Sequence, residues 1–256
     1  MRRNSLILSI IFFRLCFGQE EILSGQFEDF YIDHHKHYYT LDINGTIKKY
    51  NSSYQFLSQQ NLKIDRDLSY MYVTNPMNLL TFYRDQQKIR VYDNFLNVLN
   101  LIDLNALALP EIEHIALSFD NQIWAIDGFN KNLYKISLKG KLKYQLENLS
   151  NYNIFYDQLY WIKTNEQQIV LSTDQGLYFL DQFGQFIKKI PLTQMVHDIH
   201  GQRLIFSENN TYFLYNTKNF SQQALSLPYK EGQKLIMMNN QVFILRKNGV
   251  DLYDIK

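Results

Sequence analysis

Short apolar runs alternate with polar breaks along the whole chain, and the clearest copy of the pattern lies between Pro110 and Gly140. His114 to Ser118 is an apolar run that stops at Asp120-Asn121, which is turn chemistry. Gln122 to Asp127 resumes with β-branched and aromatic residues in partial alternation, Gly128 to Lys131 breaks it, and Leu133 to Leu138 is a third run. After Lys139-Gly140, the segment from Lys141 to Leu146 alternates as a fourth. Four short antiparallel strands in about 40 residues is the size of one propeller blade.

The third strand recurs six times, ending at Tyr50, Tyr92, Ile136, Leu180, Tyr215 and Tyr253. Upstream of each lies a second-strand candidate, and a polar hairpin loop separates the two in every copy. Six copies at this spacing predict an all-β, six-bladed β-propeller of four-stranded antiparallel blades. The last copy stops at Lys256 without a fourth strand, while Glu21 to Phe27 precedes the first copy without a role. The N-terminal segment is therefore expected to complete the last blade and close the ring, which removes exposed sheet edges. Two stretches admit a second reading. Phe95 to Leu109 has the Leu spacing of a helix that Pro110 would stop, but its place in the repeat favours an outer strand and a loop. In the fourth copy both Ile154 to Tyr156 and Leu159 to Lys163 could be the first strand, and the latter fits better.

The polar and apolar residues of the central copy also carry a resemblance. Pro110, Ile115 to Leu117, Asp120-Asn121, Ile123 to Ala125, Asp127, Asn130 and Leu133 to Ile136 through Gly140 resemble an NHL-type repeat. Such repeats build six-bladed propellers, a group that includes TolB-like exported proteins. The match covers roughly an eighth of the chain; other copies keep the hydrophobic skeleton and lose most of the polar signature.

Composition sharpens this picture in two places. Aromatics make up 15% of the 256 residues, with 19 Tyr and 18 Phe, which suits half-buried β surfaces. Gly at 10 and Pro at 4 are few for so many turns, so Asn, Asp and Gln are expected to make most of them. The formal charge is +1, and no basic run follows a strand pattern, which leaves nucleic acid and anionic membranes without a footprint.

The first 18 residues read as a leader. Arg2 and Arg3 form a basic start, Leu6 to Phe13 an apolar core too short to span a bilayer, and Cys16-Phe17-Gly18 a cleavage site before Gln19. An uncleaved interfacial anchor is the other reading. Cleavage would remove Cys16, the sole cysteine, and leave residues 19–256 as a single propeller domain, periplasmic or secreted, with a charge of −2. Later stretches are too short to span a membrane, and the mature protein is expected to be a monomer.

Candidate chemistry is sparse. Asp33-His34-His35-Lys36-His37 could hold a transition metal, but it falls at a turn between strands, where a solvated loop is the plainer reading. Lactonase-like six-bladed enzymes place acidic and amide metal ligands around the channel; that resemblance points to Glu113, Asn153 and Asp198 here, although their spacing copies no known motif and hydrogen-bonded strand ends are the plainer reading. The chain lacks a G-x-S-x-G elbow, an H-E-x-x-H pair, a G-x-G-x-x-G turn and a phosphate loop. Five Asn-x-Ser/Thr sequons, at Asn44, Asn51, Asn148, Asn209 and Asn219, are expected by chance in so Asn-rich a chain.

Phe129 is apolar in a loop where polar residues are usual, and Tyr152, Phe155 and Tyr156 form a second aromatic group near a blade junction, where they either meet a partner or pack between blades. The binding candidates are thus Phe129, Asn130, Asp127 and Tyr152, on a non-enzymatic module that needs no cofactor and takes a protein or glycan partner. Two other readings stand beside it: a metal-dependent lactonase-like hydrolase or lyase, and a structural component of an envelope complex.

Overall fold

A computed structural model describes residues 19–62, 68–228 and 234–255. The leader and its cleavage site lie outside the described residues. Among the described residues, 24 strands form six four-stranded antiparallel sheets arranged as the blades of a ring.

Blade 1 contains β2 (Phe27–Ile32), β3 (Tyr38–Asp42), β4 (Thr46–Tyr50) and β5 (Phe56–Asn61). Blade 2 contains β6 (Tyr70–Tyr72), β7 (Leu79–Tyr83), β8 (Lys88–Tyr92) and β9 (Val98–Asp103). Blade 3 contains β10 (Ile112–Leu117), β11 (Gln122–Asp127), β12 (Leu133–Ser137) and β13 (Leu142–Leu146). Blade 4 contains β14 (Leu159–Asn165), β15 (Gln168–Thr173), β16 (Gly176–Leu180) and β17 (Phe186–Ile190). Blade 5 contains β18 (Met195–His200), β19 (Arg203–Glu208), β20 (Thr211–Asn216) and β21 (Gln222–Leu225). Blade 6 contains β22 (Leu235–Met238), β23 (Gln241–Arg246), β24 (Gly249–Asp254) and, from the other end of the chain, β1 (Gln19–Ser24).

The ring closes as the missing fourth strand predicts. β1 pairs antiparallel with β24, from Gln19 opposite Tyr253 to Ser24 opposite Gly249. Arg246 clamps the joint, donating to Glu21 Oε2 at 2.7 Å and pairing with the buried Asp251 at 2.6 Å. Gly249 is required for close approach, because a Cβ there would sit 2.5 Å from the Leu23 carbonyl oxygen. The ambiguous stretches also settle: β9 is the outer strand of blade 2, followed by a 3-10 turn at Asn105–Leu107, and β14 begins at Leu159.

The hydrophobic core lies between blades. Facing sheets of blades 1 and 2 enclose Tyr39, Ile47, Met71, Leu79 and Leu96, and blades 6 and 1 enclose Phe30, Tyr38, Phe243 and Val250. The second strands of blades 1 to 5 are buried over most of their length, because both of their faces meet a neighbouring sheet, whereas several third strands keep partly exposed positions, most of all β20.

Parallel inner strands of adjacent blades are joined through side chains at all six junctions. The Met71 amide donates to the Tyr31 hydroxyl at 2.9 Å, and Tyr70 donates to the Ile115 carbonyl at 3.0 Å. His114 Nε2 meets the Leu159 carbonyl at 3.2 Å, and Trp161 Nε1 donates to Val196 at 3.0 Å. The Met237 amide donates to Asp198 Oδ2 at 2.8 Å, and Lys234 pairs with Asp29. The Phe27–Ile32, Tyr70–Tyr72 and later first strands are therefore held to one another although they belong to different sheets.

Candidate functional site

The loop between β11 and β12 is built around a buried carboxylate. Asp127 Oδ1 accepts from the amides of Asn130 and Lys131, the latter at 3.1 Å, and Oδ2 accepts from the Asn132 amide at 3.3 Å and the Tyr134 hydroxyl at 3.1 Å. The four-residue turn is thereby fixed, and Phe129 at its tip is 92% exposed. Asp127 itself has no solvent exposure, so it shapes the loop from beneath.

A second segment is tied to this loop. Lys131 donates to the Tyr156 carbonyl and lies 4.9 Å from that ring's centroid, while the Leu149 amide donates to the Lys131 carbonyl at 2.9 Å. Leu149–Tyr152 is a 3-10 turn capped by the Asn148 side chain. Tyr152 packs partly buried against the core, Tyr156 is buried in it, and Phe155 stays 56% exposed. The aromatic group of 152–156 is thus divided between core and surface. Between the two segments lies an open recess of about 530 Å³ lined by Phe129, Asn130, Gln145, Glu147, Asn148 and Ser150. Amide, carboxylate and hydroxyl groups here face solvent beside one exposed aromatic ring, a combination suited to a polar partner with some apolar surface.

The residues considered for metal binding have separate surroundings. Asp198 is buried and its oxygens are engaged by the Ile199 amide at 2.8 Å, the Met237 amide at 2.8 Å and the Lys163 ammonium. Glu113 lies against Gly128, where a Cβ would come within 2.7 Å of its Oε2. Asn153 adopts a left-handed conformation that ends the 3-10 turn. In the His34-His35 segment, Asp33 is fully buried, a departure from a purely solvated turn. It accepts from the amides of His35 and His37, at 2.8 and 2.9 Å, and from the Tyr39 hydroxyl at 2.8 Å. Among the described residues, no three His, Cys, Asp or Glu side chains converge as a metal site.

The central channel holds charged and aromatic groups that the repeat pattern did not single out. Its cavity, about 510 Å³, is lined by first-strand residues of every blade, including Tyr31, Tyr70, His114, Trp161, Asp198 and Lys234. Burial pushes His114 and His197 down to about 4, so both imidazoles are neutral at pH 7. One sequence signal does mark this group: Asp29, Lys163 and Asp198 each place a charge within a first strand of a blade.

No protein-family model matches the chain, and no curated protein matches it in sequence. Solved structures do match. The β-propeller domain of Myceliophteria thermophila Cps50 (Swd1) is 10% identical with a TM-score of 0.63, covering 93% of this chain and 100% of that one. Virginiamycin B lyase from Staphylococcus aureus is 12% identical with a TM-score of 0.57, covering 89% and 80%. The Neurospora crassa Pan2 WD40 domain is 12% identical with a TM-score of 0.57, covering 87% and 73%. At these identities the likeness concerns fold alone. The class of protein is a six-bladed β-propeller, with relatives in shape that include an enzyme and a WD40 domain.

Proposed function

We propose that this chain is an exported, non-enzymatic binding module that presents the blade 3 rim to a protein or glycan partner, in the envelope or outside the cell. The observation that carries the reading is the loop at Phe129: a buried Asp127 makes four hydrogen bonds to hold an apolar side chain almost wholly in solvent. Ordering a turn to expose a large ring has no benefit to the core, whereas a preorganised aromatic anchor lowers the entropy cost of binding. Asn130 supplies the neighbouring polar contact, and Tyr152 braces the rim from below.

The test is parallel affinity capture from native extract and a glycan array, with the unmodified protein and a Phe129→Ser, Asn130→Ala double variant. Loss of capture by the variant, with an unchanged melting temperature, is the expected result. Equal capture by both proteins overturns the choice of rim. Elemental analysis of protein purified without chelator addresses the enzyme reading; a stoichiometric divalent ion would replace the binding-module proposal with metal-dependent hydrolysis.

A further inference from the structure

The channel wall carries two lysine–aspartate pairs. Asp198 spends its oxygens on two backbone amides and Lys163, and Asp29 spends its oxygens on the Phe30 amide, the Tyr31 hydroxyl and Lys234. Three donors thus occupy each carboxylate, although Asp198 still borders the lumen. An ammonium has three donors, and each lysine uses one of them on its carboxylate partner among the described residues. Lys163 and Lys234 both line the lumen, and their side chains are partly exposed, 27% and 33%. A visiting molecule therefore meets ammonium N–H donors more readily than carboxylate oxygens, because the Asp198 and Asp29 side chains are only 7% and 22% exposed.

The rest of the lumen is a mixture of aromatic and aliphatic side chains. Tyr31, Tyr70, Trp161 and Tyr160 line it together with His114 and His197, which are neutral rings at pH 7. The volume, about 510 Å³, lies within the range of small-molecule sites.

We infer that the channel is a binding site for a small aromatic carboxylate, with its anionic group held by Lys163 and Lys234 and its ring against the aromatic wall. Hydrogen-bond complementarity selects the class: the remaining ammonium donors call for an acceptor group, and the apolar wall disfavours a fully hydrated anion such as phosphate. The site also relieves an existing penalty. Burial holds Lys234 below the usual lysine range against the opposing pull of Asp29 and Asp198, and Lys163 adds a smaller like-charge repulsion that a shared anion would offset. Lys163 is well placed for this role because it also lines the larger cavity at the other end of the channel, beside His34 and His200. This site is independent of the Phe129 rim, so either can fail without the other.

Calorimetric titration with 2-naphthoate and its neutral isostere 2-naphthamide tests the inference on the purified protein. One saturable site is expected, with the carboxylate bound at least tenfold more tightly than the amide. Lys163→Met, which keeps the aliphatic stem, should remove most of that preference. Met195→Trp, a plug at an exposed lining position, should abolish binding without changing the melting temperature. The inference is overturned by equal affinity for the two probes, by absence of saturable binding, or by binding that survives the Met195→Trp plug. That last result would place the probe on the outer apolar strands.

Discussion

Fourteen of the described non-glycine residues have a positive φ, and six of them are asparagine. The scarcity of glycine made this expectation legible: Asn tolerates the left-handed region at least cost. Phe220 does not. It sits at φ 61 with its ring 65% exposed, so it bears backbone strain without a packing return. Phe220→Gly should stabilise the protein by about 1 kcal/mol, raising the melting temperature by roughly 2–4 °C in thermal unfolding. Leu96, at φ 68, is buried, and the same change there should destabilise instead. The channel histidines make a second prediction at this scale. Both are depressed to about 4 in the folded protein, whereas an unfolded histidine titrates near 6.5. The unfolded chain then binds more protons between those values. Their contribution to stability is complete above about pH 6.5 and is lost as pH falls toward 4. His114→Gln, which can still donate to the Leu159 carbonyl, should flatten the fall in melting temperature over that interval.

At the scale of the element, the hairpins joining third and outer strands share one device. Asn51, Asp93 and Asp181 each end a third strand and accept, through Oδ1, from the amides two and four residues on, all at 2.8–2.9 Å. Ser137 and Asn216 occupy the same place in blades 3 and 5 and bond to nearby amides of their own turns. The residue after each repeated third strand was therefore an available sequence signal, one more regular than the hairpin loops themselves. Asp93→Ala removes two backbone acceptor contacts and one with the Asn97 amide group. It should cost about 1–2 kcal/mol in denaturant unfolding, most of it as faster unfolding if the turn forms late. The same device explains why Phe95 to Leu109 reads ambiguously. Its apolar run spans a turn in which Leu96 is buried with positive φ, then an outer strand, then a 3-10 turn, so no single period describes it.

For the whole molecule, closure joins the two ends of the described chain through five residue pairs between β1 and β24 and the Arg246 clamp. Deleting residues 19–24 would expose the β24 edge and uncover Val250 and Leu252 in the core between blades 6 and 1. The melting temperature should fall by several degrees and self-association should rise, checked by calorimetry and light scattering; an unchanged melting temperature would mean that the velcro strand is dispensable. Gly249→Ala tests the same joint with a single added carbon.

Blade number, strand order and the place of the closing strand were determined by the sequence, because each follows from local alternation and a repeat count. Phe129 was also legible, as an apolar residue among turn formers. What the tertiary structure decided was which polar residues work together. The six inner-strand links and the Lys163 and Lys234 pair join residues from different blades, 35 or more positions apart, and Lys234 meets Asp29 from the opposite end of the chain. A repeat pattern records what each blade needs for its own sheet and its neighbours' apolar faces. It carries no record of how six separate strands converge on one axis, and there the burial and pairing of a few charges are set by geometry alone.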